Sequence, residues 1–167
     1  MLVKGKAIKL GDNINTDFII SGRYKFAITD IKELAKHIME DIDPHFKDKI
    51  IAGESILVAG SNFGLGSSRE QAPLVIKEAG IVAVIAKSFA RIFYRNSFNI
   101  GLLLVEADTD KINENDILEI SMEESRLKNS TKNTEVKINS LPKIMQELLK
   151  EGGLVNYFKK HRGFPNV

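Results

Sequence analysis

Six consecutive apolar residues, Ile81-Val82-Ala83-Val84-Ile85-Ala86, constrain this chain more than any other feature. A short run without alternation, rich in β-branched side chains, reads as a strand covered on both faces. Helical patterns flank it. Residues 70–79 form one, and Ser88 is placed to cap a second that carries Phe89, Ile92 and Phe93 on one face. Further apolar runs lie outside these helices, at Ser55–Ala59 and Leu102–Val105. The centre of the chain therefore reads β-α-β-α-β, which demands parallel strands joined by right-handed crossovers. The fold class is α/β with a central, mainly parallel sheet.

The flanking segments read less sharply. Residues 2–9 alternate loosely as a strand, and Gly11 to Asp17 is a turn cluster. Phe18-Ile19-Ile20 reads as a short strand and Ser21 to Ala27 as an irregular loop. Thr29 or Asp30 caps a helix through Glu40, with Ile31, Leu34, Ala35, Ile38 and Met39 on one face. Residues 116–121 and 134–138 read as half-exposed strands, with Lys128 to Asn133 as a loop or hairpin tip. Pro142 opens a helix that Gly152-Gly153 breaks. Leu154 to Lys160 is a last amphipathic turn, and His161 to Val167 a frayed tail. No linker or repeat divides the 167 residues, so one domain spanning 1–167 is expected.

Composition excludes several classes of function. With 24 basic and 22 acidic side chains the chain is too balanced to argue for nucleic acid or a membrane surface. It has no cysteine, so it forms no disulfide and ligates no iron–sulfur cluster through its own thiolates. Its three histidines are far apart in sequence, and no metal site is expected. Neither a signal peptide nor a membrane-length apolar run appears, which makes the cytoplasm the expected location.

The chemistry concentrates in Asn62-Phe63-Gly64-Leu65-Gly66-Ser67-Ser68-Arg69-Glu70. A strand, a glycine turn and a helix start make an anion cradle of unpaired amides at the positive end of a helix dipole. The turn is not a dinucleotide fingerprint, because Arg69 stands where the third glycine belongs and Lys87 follows the next strand. It is not a Walker loop either. A plain tight turn with surface hydroxyls is the blander alternative. Against it, Ser67 and Ser68 sit beside the fork of Arg69, which matches a carboxylate bidentately. A hydroxyl in so positive a setting can serve as an alkoxide base. No histidine stands nearby in sequence to activate a serine in the hydrolase manner.

These nine residues, followed by Ala86-Lys87-Ser88-Phe89-Ala90-Arg91-Ile92-Phe93-Tyr94-Arg95-Asn96, resemble the small-subunit family of 3-isopropylmalate dehydratase. That family is related to the swivelling domain of aconitase. Asn15-Thr16-Asp17 and Gly152-Gly153-Leu154 match as well, so the resemblance covers essentially the whole chain. It implies a three-layer β/β/α swivelling domain. It also implies a cysteine-bearing large subunit that holds a [4Fe–4S] cluster, in a heterodimer or heterotetramer. Ser67 is then the catalytic base, Ser68 and Arg69 bind the carboxylate of a small dicarboxylate substrate, and Asp17 approaches the site. The implied reaction is dehydration and rehydration of an alkyl-substituted malate, with the cluster's open iron as the Lewis acid on the departing hydroxyl. In leucine biosynthesis this interconverts the isopropylmalates. The family's usual Gly-Cys-Gly-Ser-Ser-Arg-Glu-His departs here at Leu65 and Gln71.

Ser21-Gly22-Arg23-Tyr24-Lys25-Phe26-Ala27 is the segment that the resemblance assigns to the substrate's variable side arm. Arg23, Tyr24 and Phe26 are the candidate contacts. Tricarboxylate users in the family place an arginine near Phe26. An apolar Phe26 suits an alkyl group, whose burial gains about 1–3 kcal/mol, over a carboxylate that would stay unpaired. Dimethylmalate, methylmalate and homoaconitate-type substrates remain alternatives, with Arg23 or Lys25 able to supply a missing cation. A seal against the large subunit is the blander reading of Phe26, and a non-catalytic carboxylate-binding module is the reading from another class. The 21–28 loop is expected to be disordered or displaced without its partner. Arg91 and Arg95, one helical turn apart, read either as support for the site or the partner, or as pairs for Glu70 or Glu78.

Overall fold

The computed structural model describes residues 1–163. One mixed sheet of seven strands runs through the molecule in the order β4-β3-β2-β1-β5-β6-β7. The first four in that order are β1 (Leu2–Lys9), β2 (Ser55–Val58), β3 (Ile81–Ala86) and β4 (Leu103–Glu106), and all of their pairings are parallel. An antiparallel meander of β5 (Ile117–Ser121), β6 (Arg126–Asn129) and β7 (Thr134–Lys137) extends the other edge of β1. The expected α/β class with a parallel centre is therefore present.

Burial along the strands explains the division. Every residue of β2 is buried and β3 is buried at all but Val82, as a two-sided parallel strand requires. In β5 and β6 burial alternates, so these strands bury one face only. A single apolar cluster reaches from Ala7 to Leu149, with Ile56, Leu57, Val58, Val84 and Ile85 at zero exposure. Each such aliphatic side chain contributes about 1.5–3 kcal/mol by leaving water.

The helices are α1 (Thr16–Ile19), α2 (Gly22–Lys25), α3 (Ile31–Ala35), α4 (Gln71–Glu78), α5 (Arg91–Asn99), α6 (Lys143–Lys150) and α7 (Leu154–His161). Several sequence expectations give way here. Phe18-Ile19-Ile20 is not a strand; Asn15 caps a helical turn by accepting the Asp17 amide at 2.9 Å. The 21–27 loop contains the helical turn α2. The helix expected through Glu40 ends at Ala35, because Met39 adopts φ +52° and its amide leaves the helix to donate to Ile19 O at 2.9 Å. Its intended face still holds, since Leu34, Ala35, Ile38 and Met39 are all buried. Asp30 rather than Thr29 caps α3, accepting from the Lys32 and Glu33 amides.

Ser88 does not cap α5. Its hydroxyl accepts the Asn62 amide at 2.8 Å, Ala90 stands at the cap, and Phe89 precedes the helix. Residues 128 and 129, expected in a loop, belong to β6. His161 closes α7 instead of opening the tail, whose last residues, 164–167, lie outside the described residues.

Candidate active site

The parallel strands β1, β2 and β3 bring three connections to one end of the sheet. They are residues 10–20 after β1, 59–70 after β2 and 87–90 after β3. The glycine loop between β2 and α4 is clasped from both sides. Asn15 bridges to Leu65, and Phe63 bridges to Phe89. The Gly64 amide donates to Ile14 O at 2.8 Å, and the Ala90 amide donates to Phe63 O at 2.9 Å.

Two glycines in this loop are dictated by geometry. Gly64 has φ +81° and its absent Cβ would run into the ring of Phe93. Gly66 has φ +99° and a Cβ there would strike the Asn15 side chain. Any other residue at either position is both strained and crowded.

Asn15-Thr16-Asp17 serves the loop residue by residue. Asn15 packs against Gly66. Buried Thr16 takes its amide to Leu65 O at 2.8 Å and donates its hydroxyl to Ser67 O at 3.1 Å. The Asp17 carboxylate pairs with Nη2 of Arg69. The sequence singled out Asp17 of this triplet for a site role; the parts played by Asn15 and Thr16 depend on tertiary contacts that no local pattern encodes.

Arg69 points inward. Its side chain is 12% exposed, Nη1 donates to Ile20 O at 3.0 Å, and Nε is buried with no hydrogen-bond partner. A buried donor without an acceptor costs about 1–3 kcal/mol. Ser67 and Ser68 are exposed, and neither hydroxyl has a hydrogen-bond partner among the described residues. They lie before α4, which starts at Gln71 with no side-chain cap at Glu70, so the positive helix start faces the loop.

A cleft of about 620 Å³ opens beside Ser67. The glycine loop (Gly64, Gly66, Ser67) forms one wall, and Arg91, Ile92 and Arg95 of α5 form the other. Neither arginine pairs with Glu70 or Glu78, as one sequence reading had it; both guanidinium groups are without a partner among the described residues. Ile92 is 45% exposed between them. Arg23, Arg69 and Arg126, by contrast, each pair with a carboxylate.

The remaining candidates stand apart from this cleft. Arg23 pairs with Asp41. Tyr24 stacks on His37 with centroids 3.8 Å apart and rings 11° from parallel. His37 Nδ1 lies 2.8 Å from Glu40 Oε2, and the Tyr24 hydroxyl bonds to the same carboxylate. The bond to Glu40, then burial, holds the Tyr24 phenol above its ordinary 10.0. The bond from His37 holds Glu40 below 4.5 despite partial desolvation. Phe26 is 82% exposed at the end of α2. The 21–28 segment is thus built as a turn on a side-chain platform.

A second cleft, of about 340 Å³, lies where α4 and α5 meet Gly152 and Gly153. Its one ammonium, Lys77, already donates to Ile100 O and Gly152 O, and burial holds its pKa down. Among the described residues no group of three or more His, Cys, Asp or Glu side chains could hold a metal ion. No helix there is long and apolar enough to cross a membrane.

Comparison with known proteins agrees with this architecture. Residues 22–110 match the aconitase C-terminal domain family. The 3-isopropylmalate dehydratase small subunit 2 of Archaeoglobus fulgidus is 53% identical, with 96% of this chain and 97% of that protein covered. The methanogen homoaconitase small subunit of Methanocaldococcus jannaschii is 49% identical over 97% of this chain and 94% of its own length. A crystal structure of 3-isopropylmalate dehydratase (LeuD) from Methanocaldococcus jannaschii superimposes with a TM-score of 0.92 at 49% identity, covering 97% of this chain and 96% of that one.

Proposed function

Because the chain belongs to the aconitase C-terminal domain family, we propose that it is the small subunit of a hydro-lyase that isomerises an alkyl-substituted malate. Isopropylmalate is the substrate this reading favours, and a separate large subunit is the partner. The whole of 1–167 acts as one swivelling domain, in a heterodimer or heterotetramer, in the cytoplasm.

One observation carries the reading. Ser67 stands open and unbonded on a loop whose backbone is fixed by Asn15, Thr16 and Phe93, at the mouth of a positively charged cleft. An exposed hydroxyl on a flexible loop would be ordinary. A hydroxyl on so constrained a loop, beside two free guanidinium groups and a helix start, is a preorganised base. Ser67 takes the proton from the carbon next to a carboxylate. Ser68 and Arg69 are assigned to that carboxylate. Asp17 keeps the guanidinium oriented. Phe26, which does not line the cleft in the isolated chain, is the residue this reading assigns to the alkyl arm.

A [4Fe–4S] cluster does not fit this chain, which has no cysteine and, among the described residues, no metal-binding group. The cluster is ascribed to the large subunit. What these residues provide is the proton-transfer half of the reaction.

The test is anaerobic activity of the chain reconstituted with its large subunit. Alkene formation from isopropylmalate, dimethylmalate and homocitrate is followed side by side. Turnover of isopropylmalate that disappears in Ser67→Ala is the expected result. Turnover of homocitrate alone supports the second reading, a homoaconitase-type subunit, the name borne by a 49% identical relative.

A further inference from the structure

We propose that Asp41 sets substrate choice by holding Arg23 out of the substrate's reach, while His37 and Glu40 fix the same turn through Tyr24. The inference rests on the reading of Phe26 as the residue that meets the substrate's side arm.

The turn α2 cannot hold itself. It is four residues long, has no side-chain cap and buries none of its residues. A single helical turn is unstable in isolation, because nucleation fixes several residues for one hydrogen bond. What shapes it is a pair of side-chain anchors on consecutive residues, Arg23 on Asp41 and Tyr24 on His37. Glu40 ties the second anchor together by bonding both Tyr24 and His37.

The platform beneath is rigid. Ile38 and Met39 are buried at 1% and 0% exposure. The Met39 amide is held by Ile19 O, and Met39 O accepts from the Ile42 and Asp43 amides at 2.9 and 3.0 Å. So His37, Glu40 and Asp41 project from a fixed bend, and the exposed tip at Phe26 takes its place from them.

Charge gives the arrangement its consequence. The tip offers a substrate an aromatic ring, with Lys25 Nζ 5.4 Å from its centroid. The guanidinium of Arg23, three residues before Phe26, is kept beside Asp41. An exposed pair of this kind adds little to stability. It decides instead whether a second, bidentate cation joins Lys25 at the tip. Freed from Asp41, Arg23 brings to the Phe26 turn a planar fork suited to a malate whose side arm ends in a carboxylate. Discrimination between alkyl and carboxylate arms then depends on a residue that touches neither.

The experiment uses the reconstituted complex, with kcat and KM measured for isopropylmalate and homocitrate. Asp41→Asn is expected to shift the ratio of kcat/KM toward homocitrate by about two- to fivefold, chiefly through KM. Asp41→Glu should keep the native ratio, and adding Arg23→Gln to Asp41→Asn should remove the gain. Amide exchange at residues 22–28 of the isolated chain should quicken in Asp41→Asn and His37→Ala. An unchanged ratio in Asp41→Asn, or a change that Arg23→Gln does not reverse, overturns the assignment. A wild-type complex that turns over neither acid overturns the functional reading beneath it. Exchange then decides the anchor alone, and unchanged exchange in both variants sinks it too.

Discussion

Asp17 and Arg69 form an ion pair in which the arginine side chain is 12% exposed and the aspartate 51%. The pair therefore has a dry end and a wet end. Asp17 lies where solvent can compete for it, and Arg69 does not leave its pocket. Replacing Asp17 by alanine leaves a largely buried guanidinium with Ile20 O as its acceptor. A loss of about 1–2 kcal/mol in unfolding free energy is expected, less than for a fully buried pair because one partner is hydrated. Urea denaturation of the isolated chain measures it, and an unchanged midpoint would show that the pair contributes nothing to the fold.

Ser67→Ala separates chemistry from folding. The side chain is exposed and unbonded, so the thermal midpoint should stay within a degree or so of the parent. Turnover in the reconstituted complex should fall by about 10²–10⁴-fold, the usual contribution of a positioned base. A fall in activity that tracks a fall in midpoint would mean that the hydroxyl is structural.

Gly66→Ala is expected to damage both. Its φ of +99° and its contact with Asn15 leave no room for a Cβ, and the strain is on the order of 1–3 kcal/mol. Because Asn15 also caps α1, the damage spreads to Asp17. Denaturation midpoints and turnover should fall together. Asn15→Ala in the same background should recover part of the stability by making space, and none of the activity.

Arg91→Ala with Arg95→Ala tests the field of the cleft. Two unpaired guanidinium groups beside Ser67 raise the local concentration of a dicarboxylate. The double variant should lose about 3- to 10-fold in kcat/KM at low salt and little in kcat. The difference should shrink as salt screens the parent. A loss confined to kcat would place one of the two in contact with the reacting atoms.

Asp116 makes the stability of the meander acid-sensitive. Burial by itself would raise its pKa, but hydrogen bonds from the Asn113 amide and the Asn129 side chain, with Lys132 at 3.3 Å, hold it below its ordinary 3.8. A depressed carboxylate stabilises the fold above its unfolded pKa and loses that contribution as pH falls through the folded one. Stability of the parent should therefore drop on acidification below about pH 4. Asp116→Asn should be less stable at neutral pH and flatter in that acid range, as unfolding at several pH values will show.

The parallel centre was legible because β2 and β3 are apolar on both faces, a signal that no half-exposed strand imitates. The glycine loop was legible for a similar reason, since only left-handed backbone and close approach require Gly64 and Gly66. The segment from 16 to 41 misled. Phe18-Ile19-Ile20 has the composition of a strand, but the Asn15 side chain captures the Asp17 amide and turns the chain. Residues 36–40 keep helical periodicity, yet Met39 is claimed by Ile19. In both places a single hydrogen bond outweighed a weak local preference. The partners of Arg23 and Tyr24 lie in the next element, and no spacing rule points from residue 23 to residue 41.

The clasp around Ser67 draws on residues 15, 66 and 93, which are far apart along the chain and meet only across the assembled strands. During synthesis such a site is finished late. Local helices can form as they emerge, whereas the serine loop waits until β3 and α5 have been delivered and docked. A polypeptide interrupted before residue 93 has every residue of the Ser-Ser-Arg-Glu motif and no wall to set it against. A completed serine loop is thus itself a record that the chain as far as α5 has folded.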